Sequence, residues 1–372
     1  MTMKINTRTV ESNGAKEIYI SAAPTKMAPV QDLADETFRA IDDILRSNQA
    51  RLLQERIFAC GDAMELVCDA RKAAYRDLDD GVLPSLLICK EGLTGPFAGV
   101  QIHAVASETT PEVVRYQGMS VGRTIELPDR HYLALTGISN PGLCSPEEQT
   151  KAMLKTAESV LKRYGADFGS VARTWMWLKD ILSWYEDFNR IRNTFFTEYG
   201  MLANGHKDRM PASTGVGLGP VNQGHCSMDL VATLKPADSV RYSQAAGQQQ
   251  SAFEYGSAFS RATRTATPAS EMVYISGTAS IDAEGNTTHI GNAPKQIEAT
   301  IDNVRAVMEQ MHCPEDKLVQ VIAYCKDWDV ERVFNSYKKQ MQWPWVTVIC
   351  DICRDDLLFE IEAAAVASPT SC

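Results

Sequence analysis

The chain has 372 residues, 44% hydrophobic and 23% charged, with 47 acidic against 37 basic side chains and a formal net charge of -10. That balance argues against non-specific nucleic-acid binding, because the phosphate backbone repels an acidic surface. No apolar run approaches the length of a membrane span, the N-terminal MTMKINTRTVESNG lacks the apolar core of a signal peptide, and ten scattered cysteines suit a reducing cytoplasm better than a disulfide scaffold.

Residues 1–107 read as a first unit. EIYISAA is its opening strand. ADETFRAIDDILRSN is an amphipathic helix with Phe38, Ile41 and Leu45 on one face, and ERIFACGD is a second strand. MELVCDARKAAYRDL is a second helix, Pro84 opens an extended segment, and FAGVQIHAVA closes the unit. Residues 108–130 read as a connector. The same order then recurs over 131–235: HYLALTGI, a helix with Met153, Ala157, Val160 and Leu161 on one face, VARTWMWLKD, a helix over SWYEDFNRIRNTFFTEYG, an extended segment after Pro211, and CSMDLVATL. A second connector, 236–270, is rich in small and polar residues. The order recurs once more over 271–372: EMVYISGTASI, a helix with Ile297, Ile301, Val304 and Met308 on one face, VQVIAYCKD, DVERVFNSYKKQM, Trp343-Pro344-Trp345 and LLFEIEAAAV. Three repeats of helices alternating with strands predict an α/β (α+β) fold of three tandem domains, each a mixed sheet with helices on one face.

This arrangement resembles the Rid (YjgF) superfamily, of chorismate-mutase-like fold, most specifically in YISGTASI, the 296–303 helix and FEIEAAAV. The resemblance implies a covalent pseudo-trimer with ligand clefts between its units. Within the superfamily the chain is most similar to the chorismatase family, through Ser276-Gly-Thr-Ala-Ser280, Ala258-Phe-Ser-Arg-Ala262, the run RTWMWLKDI with FNRIR and PASTG, and CRDDLLFEIE. The first unit is the part that matches chorismatases least.

Aligned by alternation, Glu360 matches Gln101 and Asp229, and only the third unit has glutamate there. On alternation alone Glu360 is an edge carboxylate paired with a neighbour, Glu362 sharing its face. The resemblance gives it the catalytic part: a general acid protonating the enolpyruvyl group of chorismate, or of a related cyclic carboxylate, so that pyruvate is released without a cofactor. Arg173, Arg192, Arg261 and Arg354 are the candidate carboxylate binders, since a guanidinium fork fits a carboxylate better than an ammonium does. Each also has a structural reading: stacking on Trp175 or Trp177 for Arg173, solvation on a helix for Arg192, and pairing with Asp355 or Asp356 for Arg354. Arg261 lies in a connector. The resemblance makes Cys353 a pocket residue; Thr278 supplies a donor, Ala279 limits the width, and Ser280 bonds either substrate or a neighbouring turn. Rid deaminases carry an arginine two residues after the proline of the extended segment. The matching positions are read as Leu86, Ser213 and Trp345, which speaks against deamination. A non-catalytic small-acid-binding protein is the other alternative.

The six histidines, His206 among them, do not cluster, and Cys350–Cys353 is a lone CxxC, so no metal is expected. ASTGVGLGPVNQG lacks the lysine of a phosphate loop. The expected partner is a small carboxylate, with no nucleic acid and no membrane, in the cytoplasm, for a monomeric pseudo-trimer or a homo-oligomer of it.

Overall fold

The computed structural model describes residues 2–12, 14–202, 209–245 and 251–368, so His206 lies outside the described residues. The first unit runs β1 (Met3–Ser12), β2 (Ala15–Pro24), α1 (Val30–Ser47), β3 (Arg51–Ala59), α2 (Gly61–Tyr75), β4 (Ser85–Ile88) and β5 (Phe97–Ser107). The second runs β6 (Glu112–Tyr116), β7 (Met119–Leu127), β8 (Arg130–Ile138), α3 (Pro146–Arg163), β9 (Val171–Leu178), α4 (Tyr185–Glu198), β10 (Ala212–Val216), β11 (Gly219–Pro220) and β12 (Cys226–Lys235). The third runs β13 (Arg241–Ser243), β14 (Ala262–Ala266), β15 (Glu271–Ala279), α5 (Ala293–Gln310), β16 (Leu318–Cys325), α6 (Trp328–Lys338), β17 (Trp345–Ile349) and β18 (Phe359–Val366).

Three six-stranded mixed sheets result. Their shared five-strand cores are β1-β2-β5-β3-β4, β7-β8-β12-β9-β10 and β14-β15-β18-β16-β17. In each, the pair flanking the second helix is parallel and the other pairs are antiparallel. Local chemistry sets the helix starts. Ser145 and Glu148 form a reciprocal capping box on α3, with Pro146 in its first turn. Asn292 and Asp327 cap α5 and α6 through their side chains.

The two connectors are not plain links. Residues 108–130 supply β6 and β7, which extend the second sheet beyond β8, and 236–270 supply β13 and β14 of the third. Gln117 and Gly118, both at positive φ, join β6 to β7 as a two-residue hairpin turn.

Each sheet packs its helices on one face, giving three separate apolar cores. The opposite faces of all three sheets meet in a fourth core that contains Tyr19, Tyr132, Trp175, Trp177, Tyr274 and Tyr324. β9 is buried along its whole length because it serves both: Met176 and Leu178 face the helices, Trp175 and Trp177 the centre. The sheets therefore stand around a central axis with three seams between them.

Candidate active site

The seam between the second and third units is closed by backbone and hydroxyl contacts. Ser276 Oγ accepts from the Ser213 N–H at 2.8 Å and donates to the Ser260 carbonyl at 2.5 Å. Thr263 Oγ1 donates to the Ala172 carbonyl at 2.7 Å. Below this stitching β18 brings Glu360 and Glu362 to one face of its sheet.

Glu362 accepts from Trp175 Nε1 at 2.8 Å and from Arg173 Nη2 at 2.9 Å. Glu360 is 5% exposed and lies against Ala279 of β15 and Tyr324 of β16. Among the described residues its carboxyl accepts no hydrogen bond. A Cβ at Gly277 would collide with Glu360 Oε1, so glycine leaves the space this carboxyl occupies. Burial first, and then the negative charge of Glu362, push the Glu360 carboxyl up to about 8, against the pull of Arg173 and Arg261. It is predominantly a neutral acid at pH 7.

Glu360 opens into a cavity of about 540 Å³, mouth included, whose other walls include Arg192, Arg261, Phe259, Tyr185 and Cys353. Arg192 and Arg261 are 2% and 1% exposed. Their guanidinium carbons lie 5.8 and 5.6 Å from the Phe259 ring, so that ring sits within reach of both cations. Arg192 Nη2 also donates to Asn189 Oδ1 at 2.7 Å. Burial, with Glu360 adding to it, pushes the Cys353 thiol up to about 12. Burial chiefly does the same to Tyr185. Both are uncharged at neutral pH. The cavity thus combines a protonated carboxyl, two desolvated cations and neutral donors. That set can bind an anion and deliver a proton to it.

Of the residues singled out by sequence, Glu360, Arg192, Arg261, Ala279, Cys353 and Arg354 line this cavity. Arg354 is anchored at its edge by the Gly285 carbonyl. Three others lie elsewhere. Arg173 stands behind Thr214, to which it donates, and is committed to Glu362 and stacked 4.9 Å from Trp175. Thr278 Oγ1 donates to the Ser276 carbonyl at 2.9 Å. Ser280 Oγ meets Thr288 Oγ1 at 2.7 Å, a bond to the neighbouring turn. Tyr185, Ser257, Phe259 and Thr214 line the cavity without having been singled out individually. Phe259 is next but one to Arg261, and its aromatic character beside that arginine was the available signal.

Two matches expected from the sequence are revised. The closing ladders open at Phe97–Ala59, Cys226–Leu178 and Phe359–Cys325, and three residues back along the partner strand the facing residues are Gln101, Asp229 and Glu362, so Gln101 and Asp229 match Glu362 rather than Glu360. Counted two residues after Pro84, Pro211 and Pro344, the positions are Leu86, Ser213 and Val346, so the third-unit match is Val346 and not Trp345. None of the three is arginine.

The other two seams are filled differently. Between the first and second units Asp229 is fully engaged, accepting from Arg56 Nε at 2.9 Å, Ser85 Oγ at 2.5 Å and the Gly137 N–H at 2.8 Å. Between the third and first units the side chain of Val346 packs against Gly99, and β5 carries no acidic residue.

Residues 249–367 match the family model described as Endoribonuclease L-PSP. A crystal structure of a chorismatase superposes with a TM-score of 0.58 over 77% of this chain and 87% of its own, at 18% identity. Single-unit structures also match: a probable translation initiation inhibitor from Rhodopseudomonas palustris (17% identity, 35% of this chain and 100% of that one, TM-score 0.30) and yeast Mmf1 (17%, 35% and 100%, 0.29). The fold is that of the chorismatase structure, three Rid-like units in one chain.

Proposed function

We propose that the protein is a chorismatase-like enzyme that cleaves the enolpyruvyl ether of chorismate, or of a closely related cyclic carboxylate, and releases pyruvate. The observation that carries this reading is a carboxyl held neutral at pH 7 inside a cavity walled by two buried arginines.

In this mechanism Arg192 and Arg261 hold the substrate carboxylates. Glu360 transfers its proton to the methylene carbon of the vinyl ether, leaving an oxocarbenium at the ether carbon and a carboxylate on the protein. Water adds to that carbon and returns a proton to Glu360. The hemiketal then collapses, its C–O bond breaking to give pyruvate and a cyclohexadiene diol, so that one water is consumed. Cys353 and Tyr185 face the ring as neutral groups. No step calls for a metal or an organic cofactor.

Rid-type deamination is the weaker reading, because Leu86, Ser213 and Val346 occupy the positions of the carboxylate-gripping arginine. The experiment is a pyruvate assay on purified protein with chorismate, beside Glu360→Gln. Pyruvate from the wild type and loss of at least 100-fold in the variant support the proposal. A folded wild-type protein that turns nothing over, yet is stabilised by chorismate, is a binding protein instead.

A further inference from the structure

We propose that the seam between the third and first units is a second ligand site, independent of Glu360, that binds the phosphate group of a small molecule. A cavity of about 1050 Å³, mouth included, opens there between β1, β17 and α6. Its walls carry Lys4, Lys338 and Lys339 together with Thr347, Asn335 and a single carboxylate, Glu331.

The charges are unbalanced. Lys338 Nζ donates to Thr347 Oγ1 at 2.9 Å, which uses one of its three N–H donors. Burial holds its ammonium below the usual lysine range; attraction to Glu331 opposes this and repulsion from Lys4 adds to it. Glu331 is a poor counter-ion. It accepts from the Leu93 N–H at 2.8 Å, and burial raises it toward the neutral form. Among the described residues no ion pair within 4 Å joins any of the three lysines to a carboxylate. An anion placed between Lys338 and Lys4 relieves both the desolvation and the repulsion.

The kind of cation narrows the ligand. No arginine lines this cavity, whereas Arg192 and Arg261 dominate the other. Ammonium groups act as point charges, which hold a phosphate without the bidentate geometry that an arginine fork imposes. The place in the fold is also informative. Thr347 pairs with Ala323, two residues before Cys325, as Gly215, in the Glu360 cavity, pairs with Met176, two before Leu178; Cys325 and Leu178 each open the ladder with their closing strand. The two cavities are therefore related by the internal repeat, but here β5 supplies no acid.

The test is titration calorimetry on the full-length protein at fixed ionic strength, with inorganic phosphate and glucose 6-phosphate as phosphate probes and malonate as the carboxylate probe. The expected result is saturable binding of a phosphate probe with Kd below about 1 mM, retained in Glu360→Gln and weakened at least tenfold in Lys338→Met. Tighter binding of the sugar phosphate identifies a phosphomonoester, and tighter binding of inorganic phosphate identifies the free ion. Lys4→Met, at an exposed strand position, keeps the test decisive if Lys338→Met does not fold, and is also expected to weaken binding. The proposal is overturned by the absence of saturable heat up to about 10 mM, by malonate binding more tightly than either phosphate, by unchanged affinity in Lys4→Met, or by loss of binding in Glu360→Gln.

Discussion

Glu360 and Glu362 share one face of β18, yet Glu362 is bonded to Arg173 and Trp175 while Glu360 accepts no hydrogen bond among the described residues. The negative charge of the paired carboxylate helps keep the other protonated. Glu362→Gln removes that repulsion and leaves the Arg173 cation uncompensated, and both effects lower the Glu360 pKa. The basic limb of the pH–rate profile, expected near pH 8 for the wild type, is predicted to move toward lower pH in this variant. A limb that stays in place, or moves up, removes Glu360 as the titrating acid.

The two cavity arginines bear on substrate charge. Arg261→Met and Arg192→Met each remove a buried cation facing the substrate. Each is expected to lower kcat/KM by about 100-fold, the worth of a charge-assisted hydrogen bond in a desolvated site. Lysine at either position is expected to restore only part of it, since the fork is lost. Steady-state kinetics on both pairs of variants decide this. Full activity in Arg261→Met would falsify its role in binding.

The threefold repeat was legible because the periodicity of helix faces and the three prolines, Pro84, Pro211 and Pro344, recur in the same order. Glu360, Arg192 and Arg261 come from three distant segments, and only the family resemblance suggested that they meet. The β6–β7 hairpin was missed because its turn is Gln117-Gly118 rather than the commoner Asn-Gly, although the backbone is left-handed at both positions. Arg173, Thr278 and Ser280 were singled out by chemical type, but a neighbouring acceptor claims each one: Glu362, the Ser276 carbonyl and Thr288. Such local competition is not visible in a linear sequence. The offset of Glu360 from Gln101 and Asp229 has a similar origin, since alternation fixes which face a residue takes and not how far along the ladder it sits.

Gly277 is required for space rather than for its backbone angle. Gly277→Ala sets a methyl against Glu360 Oε1 and forces the carboxyl out of its position. The expected outcome is a fold that persists, with a thermal midpoint within a few degrees of wild type, and turnover reduced at least tenfold. Circular dichroism melting and the pyruvate assay on the same preparation separate the two effects. Unchanged turnover would mean that the carboxyl does not act from where it lies.

The raised acidity of Glu360 also makes stability depend on pH, in a direction that can be worked out. A carboxyl whose value rises from 4.5 in the unfolded chain to about 8 in the folded one favours folding most while it is protonated in both states. Stability from this group is complete below about pH 4.5 and is lost as pH rises through 8, because the folded protein must then hold a buried charge. The loss amounts to roughly 5 kcal/mol once both forms are ionised. Glu360→Gln cannot ionise and escapes it. Denaturant melts of the two proteins from pH 5 to pH 9 should therefore show wild type losing ground to the variant as pH rises, with most of the change between pH 6 and 8. Parallel curves across that range would mean that Glu360 is ionised in the folded protein at neutral pH and is no proton donor there.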